Sequence, residues 1–507
     1  MGGEYKRFFW FPVLLPAYPA VFVASRNIGE FGNTELAAIV MALLGVGLLI
    51  YLTVHLVLRH RCHPHGIAIV STLIAASLFL IVAVTEEVGG RFGIPAAFRG
   101  YLVVAMTALT AALVLFVIRR RQTSFEGPTR ALRVFIHVIL TIAGVQLALN
   151  SVQARKRVST SGFVFSRLAL PSDAKAGLKA DKPALPRDVY LIVLDKYANS
   201  QMLQEQLSFS NAAFDDSLRQ LGFVVPANSR TNYAYTWFSL ASLLNFVHVA
   251  GVDDSLGAAH RLGLRYMIEH NRTVDFLKQH GYRYYFLPSH MFVSTRHDPR
   301  ADVEIGTPGG APLRARISQS QLAHTVWQES LPGRIARLWG YDVRYPEREL
   351  EIFDGLGQIA SEPGPKFVFA HVMLPHEPFF YDAQCRVTGL IGRDELDERA
   401  YLDQIRCTND LLLRLTSALL AQSAVPPIIL FQADHGTTSS SESVNPARKD
   451  ARRAQRFRGF AAYSLPGGGA AAFDSEGTPV NLMRFIFNYY FGASLPTLPN
   501  QSYWIEE

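Results

Sequence analysis

The sequence predicts an N-terminal all-α transmembrane bundle of about five helices and a C-terminal α/β domain with a mostly parallel central sheet. The chain has 507 residues and is 49% hydrophobic, yet its long apolar segments all lie in the first 150 residues. After residue 188, short apolar runs alternate with helical stretches, a pattern typical of a parallel sheet covered by helices on both faces. We therefore predict a transmembrane domain at 1–150, a linker at 151–187 and an α/β domain at 188–507.

Five apolar segments make up the predicted transmembrane domain. Their approximate spans are 8–24, 36–58, 66–84, 100–118 and 131–149. Four have about the length needed to cross a hydrocarbon core of ~30 Å, whereas the first is short and contains Pro12, Pro16 and Pro19. A cleavable signal peptide is the alternative interpretation of the first segment, but no small-residue cleavage site follows it.

The basic residues around these segments predict the orientation of the chain. Nine Lys or Arg residues precede the first segment or lie in the second and fourth loops, against three in the alternate loops. This asymmetry predicts a cytoplasmic N-terminus, and five crossings then place the α/β domain outside. If the first segment does not span the membrane, the domain faces the cytosol instead.

Net charge and cysteine content narrow the possible functions. The formal charge of +7 is modest for this length and arises largely from arginines beside the apolar segments, so we expect no nucleic-acid partner. Three cysteines are too few for a disulfide scaffold. Cys385 and Cys407 are both predicted to lie outside, where they either form one bridge or remain free thiols.

The α/β domain begins with a strand at 189–194. Further strands are predicted at 282–287, at 366–372, from Ile428 to the residues before Asp434, and at 457–465. Helices are predicted at about 205–221, from near Thr236, at about 272–280, at about 393–420 and at 480–491. The alternation of these elements favours parallel pairing.

Polar residues follow two of these strands. Asp195 follows the first strand, and Asp434 and His435 follow the strand that begins at Ile428, with Gly436 turning the chain. Because the carboxyl ends of parallel strands meet at one edge of a sheet, two carboxylates and one imidazole there can hold a divalent cation. The alternative is that each carboxylate only caps the segment that follows it.

Thr236 offers a hydroxyl at the predicted start of a helix. The positive end of the helix dipole favours a phosphate there, and a neighbouring cation would make the hydroxyl a better nucleophile for phosphoryl transfer. The alternative role for Thr236 is that of an N-cap.

Four short motifs, in this order along the chain, resemble motifs of the alkaline phosphatase/sulfatase superfamily. They are V-L-D at 193–195, T-W-F-S-L-A-S at 236–242, L-P-H-E-P-F at 374–379 and A-D-H-G at 433–436. Within that superfamily the chain is similar to the membrane-anchored branch of lipoteichoic acid synthases and phosphoethanolamine or phosphoglycerol transferases. That branch has about five transmembrane helices followed by an extracytoplasmic catalytic domain.

The resemblance implies a role for each of these residues. Asp195, Asp434 and His435 would be metal ligands, and Thr236 would be both the nucleophile and a further ligand. His376 would contact the substrate phosphate or protonate the leaving group, unless it is only a turn histidine between two prolines. The implied cofactor is one divalent cation, Mn²⁺ or Zn²⁺, with Mg²⁺ also compatible with these ligands. Asp195 is a departure, because the first ligand in the named transferases is usually Glu.

The sequence does not favour a formylglycine sulfatase. Such an enzyme needs a Cys or Ser followed by a proline two residues later and then by an arginine. Cys62 has the proline but lacks the arginine and lies in a predicted cytoplasmic loop, and neither other cysteine has the proline. The His60–His65 cluster in the same loop is interpreted as an interfacial loop rather than a metal site.

The implied function is transfer of a phospholipid headgroup phosphate, of phosphoethanolamine or phosphoglycerol type, to a cell-envelope glycan or lipid through a phospho-threonine. The expected partners are the phospholipid donor, the glycan or lipid acceptor and the bilayer. The expected location is the inner membrane of a bacterial-type cell, multi-pass, with the catalytic domain in the periplasm. Two alternatives stay open: a phosphodiester hydrolase of the cell envelope, and a membrane scaffold with a degenerate domain.

Overall fold

The chain folds into two compact units. The computed structural model describes residues 8–28, 31–121, 123–160, 178, 183, 185–251, 260–289, 292–306, 320–338, 347–388, 397–438 and 449–505. The first unit comprises Met1–Ala154 and Pro312–Val343, and the second comprises Arg155–Ala311 and Arg344–Glu507.

The first unit is helical, as predicted. Its N-terminal helices are Phe11–Leu14, Tyr18–Arg26, Asn33–Leu58, Pro64–Phe79, Ile81–Arg91, Ala96–Arg119 and Glu126–Thr160, with a 3₁₀ turn at Leu15–Ala17. Prolines occupy the first turns of the two earliest helices and of that 3₁₀ turn, because a proline has no amide hydrogen to donate within a helix.

Within the described part of the chain, three helices are long and apolar enough to cross a membrane: Asn33–Leu58, Phe98–Arg119 and Glu126–Ser159. Pro64–Phe79 and Ile81–Arg91, bent by 55° relative to each other, would make a fourth span. The first predicted segment corresponds to a shorter apolar helical stretch, Phe11–Arg26. The last helix continues to Thr160, into the predicted linker at 151–187, most of which lies outside the described residues.

A helical hairpin from the middle of the chain also belongs to the first unit. It consists of Gln321–Gln328 and Leu331–Leu338, within the stretch that the sequence analysis assigned to the α/β domain. Leu322 and Val326 pack against Ala20, Ile39 and Leu43. The predicted boundaries differ here because each short helix has one apolar face that it buries against a distant part of the sequence.

The second unit is built on a seven-stranded mixed sheet. The strands are β1 (Val189–Leu194), β2 (Phe223–Val224), β3 (Arg283–Leu287), β4 (Val303–Glu304), β5 (Lys366–Val372), β6 (Ile428–Ala433) and β7 (Ala461–Ser464). Their order is β2-β7-β6-β1-β5-β3-β4. β7 runs antiparallel to β6 and β2, and the other neighbouring pairs are parallel. This confirms the predicted α/β class.

The helices of the second unit alternate with its strands. They are Ser200–Leu207, Ala212–Gln220, Thr236–Asn245, His260–Glu269, Arg272–Gln279, Glu347–Ile359, Glu398–Gln422, Lys449–Arg456, Gly469–Ala472 and Leu482–Phe491. The predicted helix at 205–221 is two helices, because Ser208 adopts a left-handed conformation that ends the first. The predicted strand at 457–465 is the shorter β7, and it follows a helix that the sequence analysis did not identify.

The register of the central strands determines which residues meet at the carboxyl edge of the sheet. All residues of β1, β5 and β6 are buried, which explains why their sequences are mostly apolar. In the parallel ladders Leu194 of β1 lies opposite Val372 of β5 and Ala433 of β6. The next residues, Asp195 and Asp434, therefore emerge side by side at the carboxyl edge of the sheet.

Candidate active site

The Asp434 side chain accepts three hydrogen bonds at this edge. Its Oδ1 accepts hydrogen bonds from the backbone amides of Lys196 at 3.0 Å and His435 at 2.7 Å. Its Oδ2 accepts the hydroxyl hydrogen of Thr236 at 2.7 Å. Lys196 adopts a left-handed conformation with φ of 62°, a region that few non-glycine residues occupy. The Asp434 carboxylate thus joins the ends of β1 and β6 to the start of the helix Thr236–Asn245.

His435 presents its Nε2 atom to both carboxylates. Its Nδ1 lies 2.8 Å from the carbonyl oxygen of Gly436 and so carries the hydrogen, which makes Nε2 the ring nitrogen with a lone pair. Nε2 lies 3.8 Å from Oδ1 of Asp195 and 3.5 Å from Oδ2 of Asp434. Gly436 is required at the turn because a Cβ there would lie 2.6 Å from the carbonyl oxygen of Gln455.

The three residues that the sequence analysis named as metal ligands converge. One ligand atom each from Asp195, Asp434 and His435 lies within 4.8 Å of the others, and all three residues are buried. Among the described residues, nothing donates a hydrogen bond to Oδ1 of Asp195, although a buried carboxylate oxygen is costly without a partner. An orphaned anionic oxygen beside an imidazole lone pair fits a divalent cation of the Mn²⁺ or Zn²⁺ type.

Thr236 is the first helical residue, and Tyr235 occupies the N-cap position. The alternative that Thr236 is only an N-cap is therefore wrong. Its hydroxyl donates to Asp434, and the side chain of Tyr235 makes no capping hydrogen bond to the helix. The start of a helix is a favourable position for a phosphoryl group because the first-turn amides are not used within the helix.

His376 lies on the loop after β5, beside the carboxylate cluster. Its Nε2 is 4.0 Å from Oδ1 of Asp195, and its side chain is 26% exposed. Gln404 holds this loop by donating to the carbonyl oxygen of His376 at 2.9 Å and accepting from the amide of Phe380 at 3.0 Å. The position between the buried cluster and solvent is one from which an imidazole can meet a substrate.

A disulfide also fixes this loop. Cys385, at the end of the loop, is bonded to Cys407 in the helix Glu398–Gln422. Of the two alternatives for this pair, the structure contains the bridge. It ties the segment that carries His376 to the same helix that supplies Gln404.

Burial and mutual charge control ionisation in the cluster. Burial, and then the negative charge of Asp195, raise the pKa of Asp434 to about 7. Burial also acts to raise the pKa of Asp195, but the imidazoles of His376, His371 and His435 outweigh it and hold that pKa below its usual value. Burial, followed by the charge of Arg456, lowers the pKa of His435 to about 3. The neutral imidazole is the form that binds a metal.

Three further residues approach the site without having been identified from the sequence. His371 in β5 is fully buried, with Nε2 at 3.5 Å from Oδ2 of Asp195 and Nδ1 at 3.0 Å from Oγ1 of Thr295. Nζ of Lys196 lies 2.8 Å from Oε2 of Glu377. The detectable signals were a histidine inside a mostly apolar strand and charged residues directly beside Asp195 and His376.

Comparison with known proteins gives a family match and several structural similarities. Residues 267–483 match the family described as Sulfatase, a range that includes His376, Asp434 and His435. No match was found among curated proteins.

The solved structures that are similar to this chain include three from different bacteria. The C-terminal periplasmic domain of EptC from Escherichia coli is 14% identical, with 64% of this chain and 87% of that chain covered and a TM-score of 0.43. The phosphoethanolamine transferase EptA from Neisseria meningitidis is 13% identical, with 92% and 89% covered and a TM-score of 0.38. A phosphonate monoester hydrolase from Agrobacterium radiobacter is 13% identical, with 61% and 74% covered and a TM-score of 0.36.

The matched range includes the D-H-G turn and the L-P-H-E-P loop. The remaining motif residues, Asp195 and Thr236, precede the matched range and meet the D-H-G turn at the carboxyl edge of the sheet. This chain thus contains a segment, residues 267–483, most of it in the α/β unit, that matches the Sulfatase family.

Proposed function

We propose that this protein is a membrane-anchored, metal-dependent phosphotransferase that moves a phospholipid headgroup phosphate to a cell-envelope glycan or lipid. The observation that carries the proposal is the contact of 2.7 Å between Oγ1 of Thr236 and Oδ2 of Asp434. It places a hydroxyl at an uncapped helix start, directly against a group of three buried residues able to hold a cation.

The proposed chemistry has two displacements at phosphorus. In the first, the Thr236 hydroxyl loses its proton to solvent and its Oγ attacks the phosphodiester, the bond from phosphorus to the diacylglycerol oxygen breaks, and His376 donates a proton to that oxygen. The headgroup phosphate is then held on Thr236 as a diester. In the second, an acceptor hydroxyl loses its proton to His376 and attacks the same phosphorus, the bond from phosphorus to Oγ of Thr236 breaks, and Oγ regains a proton from solvent.

Asp195, Asp434 and His435 would hold the cation, with Thr236 as a further ligand. When bound, a divalent cation lowers the pKa of a neighbouring hydroxyl and stabilises negative charge on phosphoryl oxygens. The mixture of carboxylate oxygens and one imidazole nitrogen fits Mn²⁺ or Zn²⁺. The amides of the first helix turn would bind the remaining phosphoryl oxygens.

The membrane helices favour a lipid donor. An enzyme that resides in the bilayer meets phospholipid headgroups at high local concentration. A soluble phosphodiester substrate would not require the enzyme to be anchored in the membrane. The disulfide between Cys385 and Cys407 supports an extracytoplasmic position for the α/β domain, because such bridges persist in oxidising compartments.

The test is incubation of the purified full-length protein, with Mn²⁺ or Zn²⁺, with phospholipid carrying a labelled headgroup phosphate and with envelope glycan. Label on the glycan supports transfer, and free labelled headgroup phosphate supports the hydrolase alternative. Thr236→Val should abolish both products, and the control is Thr416→Val, the same change at a buried threonine of the helix Glu398–Gln422. Label released equally by wild type and Thr236→Val would contradict the proposal.

A further inference from the structure

Arg456 is a cation beside the proposed metal ligands that the proposed mechanism does not use. It is the last residue of the helix Lys449–Arg456. Its carbonyl oxygen accepts the amide hydrogen of Gly436 at 2.7 Å, so the end of this helix is fixed to the turn that carries Asp434 and His435. Its Nη2 lies 3.5 Å from Nε2 of His435.

One edge of the guanidinium is occupied by the segment before Thr236. Nε and Nη2 of Arg456 donate to the carbonyl oxygen of Ala234 at 3.0 and 2.8 Å, and its Cζ lies 4.8 Å from the ring centre of Tyr235. Arg456 therefore stands between His435 and the residues that lead into the Thr236 helix. The part of the chain that the structure describes provides no hydrogen-bond acceptor for Nη1, and the side chain is only partly buried.

The charges at the site leave Arg456 without an anion. Asp195 and Asp434 together match one divalent cation, and Lys196 is paired with Glu377. Among the described residues, no carboxylate is paired with the Arg456 guanidinium. A guanidinium 3.5 Å from a metal-binding nitrogen would be repelled by the bound cation, unless an anion lies between the two charges.

We infer that Arg456 binds a non-bridging oxygen of the substrate phosphoryl group through its free Nη1 edge, and that this charge matches the single negative charge of a phosphodiester. The inference rests on the proposed function and assigns a substrate-binding residue to it. Arginine suits the role because its planar fork contacts phosphate oxygens while its second edge keeps the Ala234 contact.

Calorimetric titrations of the full-length protein in detergent test this inference without any turnover. Inorganic phosphate is titrated into metal-loaded wild type, Arg456→Gln and the control Arg453→Gln, which removes the same charge from the same helix. Arg456→Gln should bind phosphate about 10- to 100-fold more weakly, the range expected for a charge-assisted hydrogen bond. Arg453→Gln should bind like wild type.

A second titration, with the metal alone, separates anion binding from a structural role. Arg456→Gln should bind the metal as tightly as wild type or more tightly, because a nearby positive charge is gone. Unchanged phosphate affinity in Arg456→Gln, or clearly weaker metal binding, would overturn the inference. Failure of wild type to bind the metal would overturn the proposed function itself.

Discussion

Single residues at the site show how burial prepares a group for chemistry. Asp434 lies within a shell of donors formed by Thr236 and the amides of Lys196 and His435, yet its pKa is raised to about 7 because it is buried beside Asp195. Two buried carboxylates with oxygens within 4.8 Å of each other are unfavourable when both are ionised. A divalent cation removes that cost, so the cluster is better suited to binding metal than to stability alone.

Metal affinity should therefore fall as the pH drops below about 7. Asp434 has a raised pKa of about 7, so it is protonated below that pH and must release the proton before it can bind. The metal dissociation constant should rise by up to about tenfold per pH unit below 7 and level off above it. Calorimetry in buffers of different ionisation enthalpy measures both the affinity and the proton release. A flat profile from pH 6 to 8 would contradict the raised pKa.

Removal of the Asp434 carboxylate should abolish tight metal binding. Asp434→Asn keeps the shape of the side chain but loses the charge, and we expect metal affinity to fall more than about 100-fold, since residues outside the coordination sphere alone cost about 10- to 100-fold. The control is Asp216→Asn, which removes an exposed carboxylate paired with Arg219. Metal content after dialysis, measured by elemental mass spectrometry, compares the two. Retained metal in Asp434→Asn would show that the ligands lie elsewhere.

Elements determine whether these residues meet. β1 and β6 are neighbours in register, so the residues after them necessarily lie together, and this follows from parallel pairing alone. The loop after β5 is not positioned in this way, because the pairing of β5 with β1 ends at Val372. Its position instead depends on Gln404 and on the bridge from Cys385 to Cys407, both provided by the helix Glu398–Gln422.

Loss of this disulfide should loosen the His376 loop and lower stability. The bridged cysteines are 22 residues apart, and closure of a loop of that size stabilises a fold by about 3 kcal/mol through the unfolded state. The double variant Cys385→Ser/Cys407→Ser should therefore unfold at a lower temperature and lose activity while still binding metal. Thermal unfolding and metal titration of the full chain measure these effects, with Cys62→Ser as the control. Weaker metal binding in the double variant would mean that the bridge supports the whole sheet edge.

The bounds of helices and strands were predicted most accurately where the sequence contains a strong local signal. β1 and β5 have the predicted bounds, and the helix at Thr236 begins where expected, because long apolar runs and a clear helix start are local signals. His371, Lys196 and Arg456 could not be assigned to the site, since each depends on which strand or helix end lies beside it. Arg456 belongs to a helix whose basic sequence gives no apolar periodicity.

For the whole molecule, we predicted two domains separated by a single linker. In the structure each of the two units is instead made of two separate stretches of the chain. The hairpin of Gln321–Gln328 and Leu331–Leu338 comes from between β4 and β5 and joins the helical unit. Its short amphipathic helices lack the length of a membrane span, so hydropathy alone gives no indication of where they pack. The second unit is consequently interrupted in sequence although its sheet is continuous.

The predicted orientation can be tested with single cysteines in spheroplasts, in a Cys62→Ser background that keeps the structural disulfide. Asp216→Cys lies on an exposed helix of the α/β unit, and Thr123→Cys lies in the exposed loop before the helix Glu126–Thr160. A membrane-impermeant maleimide should label the first and leave the second unlabelled until the membrane is permeabilised. The reverse pattern would place the α/β unit in the cytosol and exclude an envelope acceptor.

The proposed mechanism depends on Thr236, held against Asp434 at the carboxyl edge of the sheet, accepting the phosphate. Peptide mass spectrometry of the metal-loaded full-length protein, quenched in acid after incubation with phospholipid but without acceptor, detects this intermediate. We expect wild type to carry the headgroup phosphate on Thr236 and Asp434→Asn to carry none. A headgroup phosphate found on another residue, or an unmodified Thr236 in protein that turns over phospholipid, would contradict this mechanism.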